Sequence, residues 1–280
     1  MKLLPGEFPL LANLVRQLAG VHLDETKGYL VENRLGPIAT RVGCTNFNEF
    51  YFKLRYDAGS KLVEEVVDAI TTHETSWFRD GGPYDALQFK VAPECIDARA
   101  AAGTPKKLRI WSAACSTGQE PYGIAMVLSE MIPDIASWDV QVLATDISVG
   151  SVETAKKGVY SAHDVGRTQR PGAMARWFDQ TPEGAVVKPA IKKLVTFRQM
   201  NLMDGVRGVG PFDVVFLRNV LIYFDAASKK KVLDAVRGVL MPHGWLFVGG
   251  TENLTEAGPE WVPQVHCRAT VYQPNVVVRR

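Results

Sequence analysis

Hydrophobic positions between residues 8 and 68 recur at helical spacing. Phe8, Leu11, Leu14, Val15 and Leu18 form one stripe. Leu23, Tyr29, Leu30, Leu35 and Ile38 form a second between His22 and Ile38, interrupted at Gly36-Pro37. After a break at Gly43, Thr45-Asn46 is placed to cap a third helix carrying Phe47, Phe50, Tyr51, Leu54 and Tyr56. Asp57–Ser60 reads as a turn and Lys61–Ile70 as a fourth helix. Four short helices bury such stripes only against one another, which predicts a small helical domain over residues 1–70.

The period changes after residue 108. Strands are predicted at Leu108–Trp111, Trp138–Thr145, Leu194–Gln199, Phe212–Arg218 and Trp245–Gly249, separated by helical runs at 121–132, 148–157 and 225–239. A further helix at 83–100 leads into them. Apolar strands alternating with helices predict an α/β fold with a mostly parallel sheet covered on both faces. Thr270–Val278 reads as a last edge strand, with Pro274 weakening its middle. Residues 159–193 break the alternation and read as an inserted helix with a short β excursion. The domain reading is therefore helices over 1–70, a linker over 71–90, and an α/β domain over 91–280 with an insertion at about 159–193.

One stretch concentrates the candidate chemistry. Arg109-Ile110-Trp111 leads into Ser112-Ala113-Ala114-Cys115-Ser116-Thr117-Gly118, which is small and polar throughout. Pro121 then suits the first turn of a helix, where its missing N–H costs nothing. Either this is an ordinary strand–helix junction, or a ligand approaches its backbone N–H groups closely. Neither GxGxxG nor GxxxxGK[ST] is present, so neither a dinucleotide pyrophosphate nor a P-loop is implied. A compact nucleoside without a phosphate tail fits, provided a carboxylate ends the next strand.

Composition narrows the classes. In 280 residues, 46% are apolar and 22% charged, with a formal net charge of +2. So small an excess does not point to nucleic acid. Cys44, Cys95, Cys115 and Cys267 form no CxxC and no zinc spacing with the five histidines, which predicts free thiols, a cytoplasmic chain and no metal. Pro5, Glu7, Pro9 and Arg16 interrupt the N-terminal apolar run, and no run of about eighteen apolar residues occurs, so neither export nor membrane insertion is expected.

Asp146 follows the second core strand, either capping the next helix or accepting both hydroxyls of a ribose. Glu120, beside Pro121, either favours the helix dipole or sets negative charge near a cationic sulfonium. Arg218 and Asn219 are polar groups delivered at a strand end, and Tyr223 lies four residues beyond Asn219, as a core residue or on the face of a helical turn. Asn201 either forms a turn or offers its amide to a purine edge. The hydroxyl-rich segment Thr71–Asp80 either caps the next helix or walls a cleft at the domain boundary. Arg34, Arg41, Lys53, Arg55 and Lys61 form either a solvated face or a docking face. His73, His163 and His243 show no mutual pattern and read as structural or exposed. There is no nucleophilic triad order, no HExxH and no spaced carboxylate pair.

Together these residues resemble the chemotaxis receptor methyltransferases, S-adenosylmethionine-dependent protein-glutamate O-methyltransferases. Four motifs carry the resemblance in order: T-T-x-x-T-x-x-F-R at Thr71–Arg79, W-S-A-A-C-S-T-G-Q-E-P-Y at Trp111–Tyr122, A-T-D-I-S at Ala144–Ser148 and F-L-R-N-V-L-I-Y-F at Phe216–Phe224. The resemblance implies a Rossmann-like methyltransferase domain with a small helical N-terminal domain and an inserted β subdomain. It implies that Thr75 and Arg79 line the methionine end of the cofactor, Glu120 the sulfonium and amino group, and Asp146 the ribose. Asn201 and Leu202 would contact the adenine, Asn219 and Val220 would lie beneath the cofactor, and Tyr223 with Arg79 would orient the substrate carboxylate. His73 stands where some members have asparagine. The products implied are glutamate methyl esters on the cytoplasmic methylation helices of transmembrane chemoreceptors, and S-adenosylhomocysteine. Recruitment of a monomer to receptor arrays, with Arg34, Arg41, Lys53 and Arg55 as docking residues, follows from the same resemblance. The subsidiary tip Asp179–Ala185 is shorter than in members that grip a receptor C-terminal pentapeptide, so no dependence on that tether is expected.

Overall fold

A computed structural model describes residues 1–56, 61–168, 170–206, 208–254 and 258–275. The turn expected at Asp57–Ser60 lies outside the described residues.

Helices α1 (Glu7–Ala19), α2 (Gly28–Arg41), α3 (Phe47–Tyr56) and α4 (Lys61–Ile70) pack around one core of Leu11, Leu14, Val31, Leu35, Phe47, Phe50, Val66 and Ile70. The buried Glu7 carboxylate fastens two helix starts, accepting from Leu4 N at 2.7 Å and Asn48 N at 2.9 Å. Asn46 caps α3 by accepting from Glu49 N at 2.9 Å. The expected break at Gly36-Pro37 does not occur, because α2 runs through Pro37. Its neighbours Leu35, Ile38 and Ala39 are all buried in the bundle. Burial of that stripe, worth about 1.5–3 kcal/mol per large side chain, outweighs the one backbone donor that proline removes.

Residues 83–100 are one helical rod with a wide turn in it. Helix α5 (Gly82–Ala86) and helix α6 (Ala92–Ala101) flank a π turn at Leu87–Val91, where Ala92 N donates to Leu87 O. The wide turn precedes Pro93, which has no N–H to give to the regular ladder.

Strand β1 (Lys107–Ala113) leads through the small-residue bend to α7 (Gln119–Met131), β2 (Asp139–Asp146) and α8 (Val149–Lys157). The insertion follows: β3 (Val159–Tyr160), α9 (Ala162–Gly166), α10 (Pro171–Trp177), β4 (Phe178–Thr181), β5 (Gly184–Val187) and α11 (Pro189–Lys192). Its strands form a separate antiparallel sheet in the order β3-β5-β4, more regular than the single excursion expected. The chain returns through β6 (Val195–Gln199), β7 (Phe212–Leu217), α12 (Ala226–Val239), β8 (Leu240–Val248), β9 (Trp261–His266) and β10 (Ala269–Pro274).

The main sheet has the order β6-β2-β1-β7-β8-β10-β9, parallel as far as β8 and antiparallel beyond it. One face packs on α5–α7 through Ile110, Ile124, Val142, Phe216 and Phe247, and the other on α12 through Trp111, Val215, Leu233 and Leu246. Strand order reverses at β1, so its C-terminal end opens the crevice in which ligands of such sheets bind. The register sets Ala113 beside Thr145 on one side and Leu217 on the other, delivering Ala114, Asp146 and Arg218 together.

Two strand ends differ from expectation. Strand β8 begins at Leu240 rather than Trp245, because an irregularity in the β7–β8 pairing takes Pro242 and Gly244 out of the ladder. Strand β9 was not among the expected strands, and Pro263 stands within it. As the edge strand it tolerates a missing donor. The last strand ends at Pro274, and residues 276–278 of the expected one lie outside the described residues.

Candidate active site

The bend after β1 is wound by left-handed residues. Ala114 has φ 57°, Ser116 φ 49° and Gly118 φ 96°. A side chain in this region costs roughly 1–2 kcal/mol, so two non-glycine residues held there mark a shape the surroundings enforce. Alternating hands turn backbone N–H groups inward, and Ser116 N donates to Asp146 Oδ2 at 2.7 Å. At Gly118 a Cβ would come within 2.8 Å of Ala155 Cβ, so only glycine lets the bend seat on α8.

Asp146 is buried at the end of β2, 7% exposed, and its other oxygen accepts from Ser148 N at 2.9 Å. Ser148, not Asp146, caps α8, through Oγ accepting Ser151 N at 2.9 Å. The aspartate is thus not used up on the helix. Burial raises its pKa above the usual 3.8, against the pull of the Ser148 and Ser116 N–H groups.

Across the cleft, Glu120 is held rather than loose. Ser112 Oγ donates to it at 2.8 Å and Arg218 Nη1 at 2.9 Å. Arg218 is 5% exposed and also donates to Asp80 Oδ2 at 2.7 Å and Arg79 O at 3.0 Å. Burial would lower its pKa, but the carboxylates of Glu120 and Asp80 more than offset this and raise it. The sequence marked Arg218 as a strand-end polar group without assigning it this clamp, and Tyr84 was missed. Tyr84 is fully buried, its hydroxyl pushed up in pKa chiefly by burial and then by Glu120.

The segment before α5 is stitched into the site. Ser116 Oγ donates to His73 O at 2.8 Å. His73 Nε2 lies 2.9 Å from Asp68 O, a pure acceptor, so that nitrogen carries the proton and Nδ1 accepts from Ser151 Oγ at 3.0 Å. His73 is structural, as expected, and also lines the cleft. Arg79 donates to Glu74 O at 3.3 Å.

The floor comes from the last motif. Asn219 has φ 58°, and the buried Glu252 carboxylate accepts from Asn219 N at 2.8 Å, Gly249 N at 2.6 Å and Ile222 N at 3.3 Å. Glu252 was missed because it stands in a loop with no local pattern. Tyr223 falls on a single 3-10 turn, Leu221–Tyr223, partly packed in the core.

All nine residues expected at the cofactor and reaction site border one cleft: Thr75, Arg79, Glu120, Asp146, Asn201, Leu202, Asn219, Val220 and Tyr223. Its open space is about 1010 Å³, mouth included. Asn201 lines it, but its side chain is engaged: Oδ1 accepts from Met203 N at 3.0 Å and Nδ2 donates to Leu18 O at 2.8 Å. Leu202 borders the cleft beside it, with no such side-chain engagement.

The four basic residues of the helical domain do not share one role. Arg34 Nη1 donates to Ile70 O at 3.1 Å and Thr71 O at 3.0 Å, which closes the end of α4. Arg41 pairs with Glu65, Lys53 donates to Val42 O at 2.9 Å, and Arg55 to Gln17 Oε1 at 3.3 Å. Among the described residues, no group of His, Cys, Asp or Glu is arranged to hold a metal, and no helix is long and apolar enough to cross a membrane.

An adenosyl sulfonium fits this donor set. A strand-end carboxylate suits vicinal hydroxyls, and Glu120 supplies negative charge near the bend. Tyr84 and Arg218 line the same cleft, and the buried Tyr84 OH and Arg218 Nε have no protein hydrogen-bond partner. The chain is an S-adenosylmethionine-dependent methyltransferase. Residues 73–271 match "CheR methyltransferase, SAM binding domain", and residues 6–71 match "CheR methyltransferase, all-alpha domain". The chain is 38% identical to "Chemotaxis protein methyltransferase 1" of Pseudomonas aeruginosa, over 98% of this chain and 97% of the relative. It is 39% identical to "Chemotaxis protein methyltransferase Cher2" of Pseudomonas putida, over 92% and 94% respectively. A "Chemotaxis protein methyltransferase" of Vibrio parahaemolyticus is 36% identical, over 89% and 90%. The chain belongs to the CheR methyltransferase family.

Proposed function

We propose that the protein esterifies the side-chain carboxylates of specific glutamates in the cytoplasmic helices of chemoreceptors, leaving S-adenosylhomocysteine. The observation that carries this reading is the convergence of Arg79 and Tyr223 with the cofactor residues on a single cleft. When bound there, S-adenosylmethionine supplies an electrophilic methyl group on a cationic sulfur.

The chain's residues then have separable tasks. Asp146 and the Ser116 bend hold the ribose side, Leu202 and Val220 give apolar contact, and Asn219 shapes the floor. Thr75 and Arg79 close the methionine end, while Arg218 holds the Glu120 carboxylate in place beside the sulfonium. Tyr223 and Arg79 turn the incoming carboxylate into line. A glutamate is already ionised near neutral pH, so no general base has to remove a proton. Placement and exclusion of water supply the acceleration, of which proximity can contribute on the order of 7–11 kcal/mol.

Esterification removes a negative charge from a receptor helix and so relaxes like-charge repulsion, which serves adaptation. The enzyme acts as a cytoplasmic monomer recruited to receptor arrays. Arg41, Lys53 and Arg55, exposed on the helical domain, form its docking face, with Arg34 supporting the fold beneath them. The β4–β5 connection, only Pro182-Glu183, supports independence from a receptor C-terminal pentapeptide.

The test is incubation with methyl-labelled cofactor and receptor-enriched membranes. Label released as methanol by alkali, lost in Tyr223→Phe by tenfold or more and unaffected by free pentapeptide, is expected. Alkali-stable label, or none, contradicts the proposal, and tight pentapeptide binding in calorimetry contradicts its last clause.

A further inference from the structure

A parallel sheet normally has helices over both faces. Here the β6-to-β7 crossover contains, among the described residues, only the three-residue 3-10 turn Leu202–Asp204. The sheet face that carries Arg109, Gln141, Leu143, Thr196 and Arg198 is left partly open at the β6 edge. Gln141, Thr196 and Arg198 are exposed there. Strand register puts Arg109 beside Gln141, Leu143 beside Thr196, and Arg198 one pair further along. The loop Gly208–Phe212 forms the opposite wall, and the cavity between holds about 370 Å³.

This cavity is separate from the methyl-transfer cleft, sharing no lining residue with it. Its lining includes Arg99, Lys107, Arg109 and Arg198 and no carboxylate. Asp213 engages Arg99 at 2.8 Å, and Asp139 at the rim engages Arg109. Four cations against two carboxylates leave a surplus of positive charge. Arg198 has no side-chain partner among the described residues. An open sheet face would ordinarily be closed by apolar packing. Unpaired guanidinium charge on one is instead a place for a multiply charged anion, and arginine's fork of donors matches phosphate oxygens.

We propose that this cavity is a second ligand site, distinct from the cofactor cleft, that binds a small phosphorylated compound through Arg198 and Lys107, with Arg109 held beside them by Asp139. Its volume suits a diphosphate or a nucleotide rather than a helix. The site does not depend on the identity of the methyl acceptor.

The experiment is calorimetric titration of the full chain, saturated with S-adenosylhomocysteine so that the cofactor cleft is blocked, with four probes: pyrophosphate, ADP, adenosine and a glutamate-rich helical peptide. Pyrophosphate binding that weakens as salt rises is expected, with no adenosine binding. ADP binding more tightly than pyrophosphate identifies a nucleotide, and equal affinity a free phosphate compound. Arg198→Glu abolishes binding, and Gln141→Glu weakens it at least fivefold by charge alone. Both variants keep the affinity for S-adenosylhomocysteine, which shows they are folded. The proposal is overturned if pyrophosphate and ADP fail to bind, if either variant binds as the parent does, or if a glutamate-rich helical peptide binds there and the phosphates do not.

Discussion

At the residue scale, Asp146 is the side chain on which the proposed cofactor site turns. Both its oxygens already accept backbone N–H groups, yet burial holds its pKa above 3.8. Ribose hydroxyls donate to the ionised form, so ligand affinity is full above that raised pKa and falls as pH drops through it. Affinity for S-adenosylhomocysteine should therefore begin to weaken at a higher pH than an ordinary aspartate allows, and Asp146→Asn should flatten that dependence. Titrations across an acid pH series read this directly. For folding the sign is opposite: the folded chain holds this proton more tightly than the unfolded one. Ionised Asp146 is a cost to stability that acidification removes. Legibility at this scale followed strand ends. Asp146, Asn219 and Arg218 stand where an apolar run stops, and a parallel sheet delivers such residues to ligands. Tyr84 and Glu252 were not legible, because their roles come from residues distant in sequence: Glu120 is 36 positions from Tyr84, and Asn219 and Ile222 are 33 and 30 positions from Glu252.

At the scale of elements, strained loops are held by single buried groups. Glu252 gathers three N–H donors from two loops and so fixes the left-handed turn at Asn219. Glu252→Gln turns one acceptor into a donor facing donors. The expected loss is about 1–3 kcal/mol of stability by urea denaturation, with weaker cofactor binding, and unchanged stability would show the contact to be incidental. Arg34 does similar work on α4, closing its C-terminal carbonyls, so that this one of the four basic residues supports the fold. The periodicity predicted most helices and six strands of the main sheet. It misplaced elements at Pro37, Pro242 and Pro263, which are accommodated by devices that sequence does not display: a buried stripe, a register shift and an edge position.

At the scale of the whole molecule, the helical domain completes the cleft rather than merely preceding it. Asn201 reaches Leu18 O, His22 N donates to Tyr223 O at 2.8 Å, and Arg16 pairs with Asp225. Gly20, with φ 74°, sits so close that a Cβ would meet Met203 Sδ at 2.8 Å and Phe224 at 3.0 Å. Gly20→Val should push the two domains apart beside Tyr223. The expected result is a several-fold loss of S-adenosylhomocysteine affinity and of receptor labelling, with the far-ultraviolet circular dichroism unchanged. Equal affinity would mean that the domain junction plays no part in the site. This coupling was legible only as the expectation that a cleft lies at the boundary, because no local pattern records which helix end meets which loop.

The central claim is that the Asp146 carboxylate, seated against the left-handed bend after Trp111, holds one ligand at the mouth of the sheet. Calorimetric titration of S-adenosylhomocysteine into the parent chain and into Asp146→Ala tests it most directly. One site per chain is predicted, weakened about 10- to 100-fold in the variant, as loss of hydrogen bonds to a charged acceptor requires. No binding to the parent, or equal binding to both, would contradict the account.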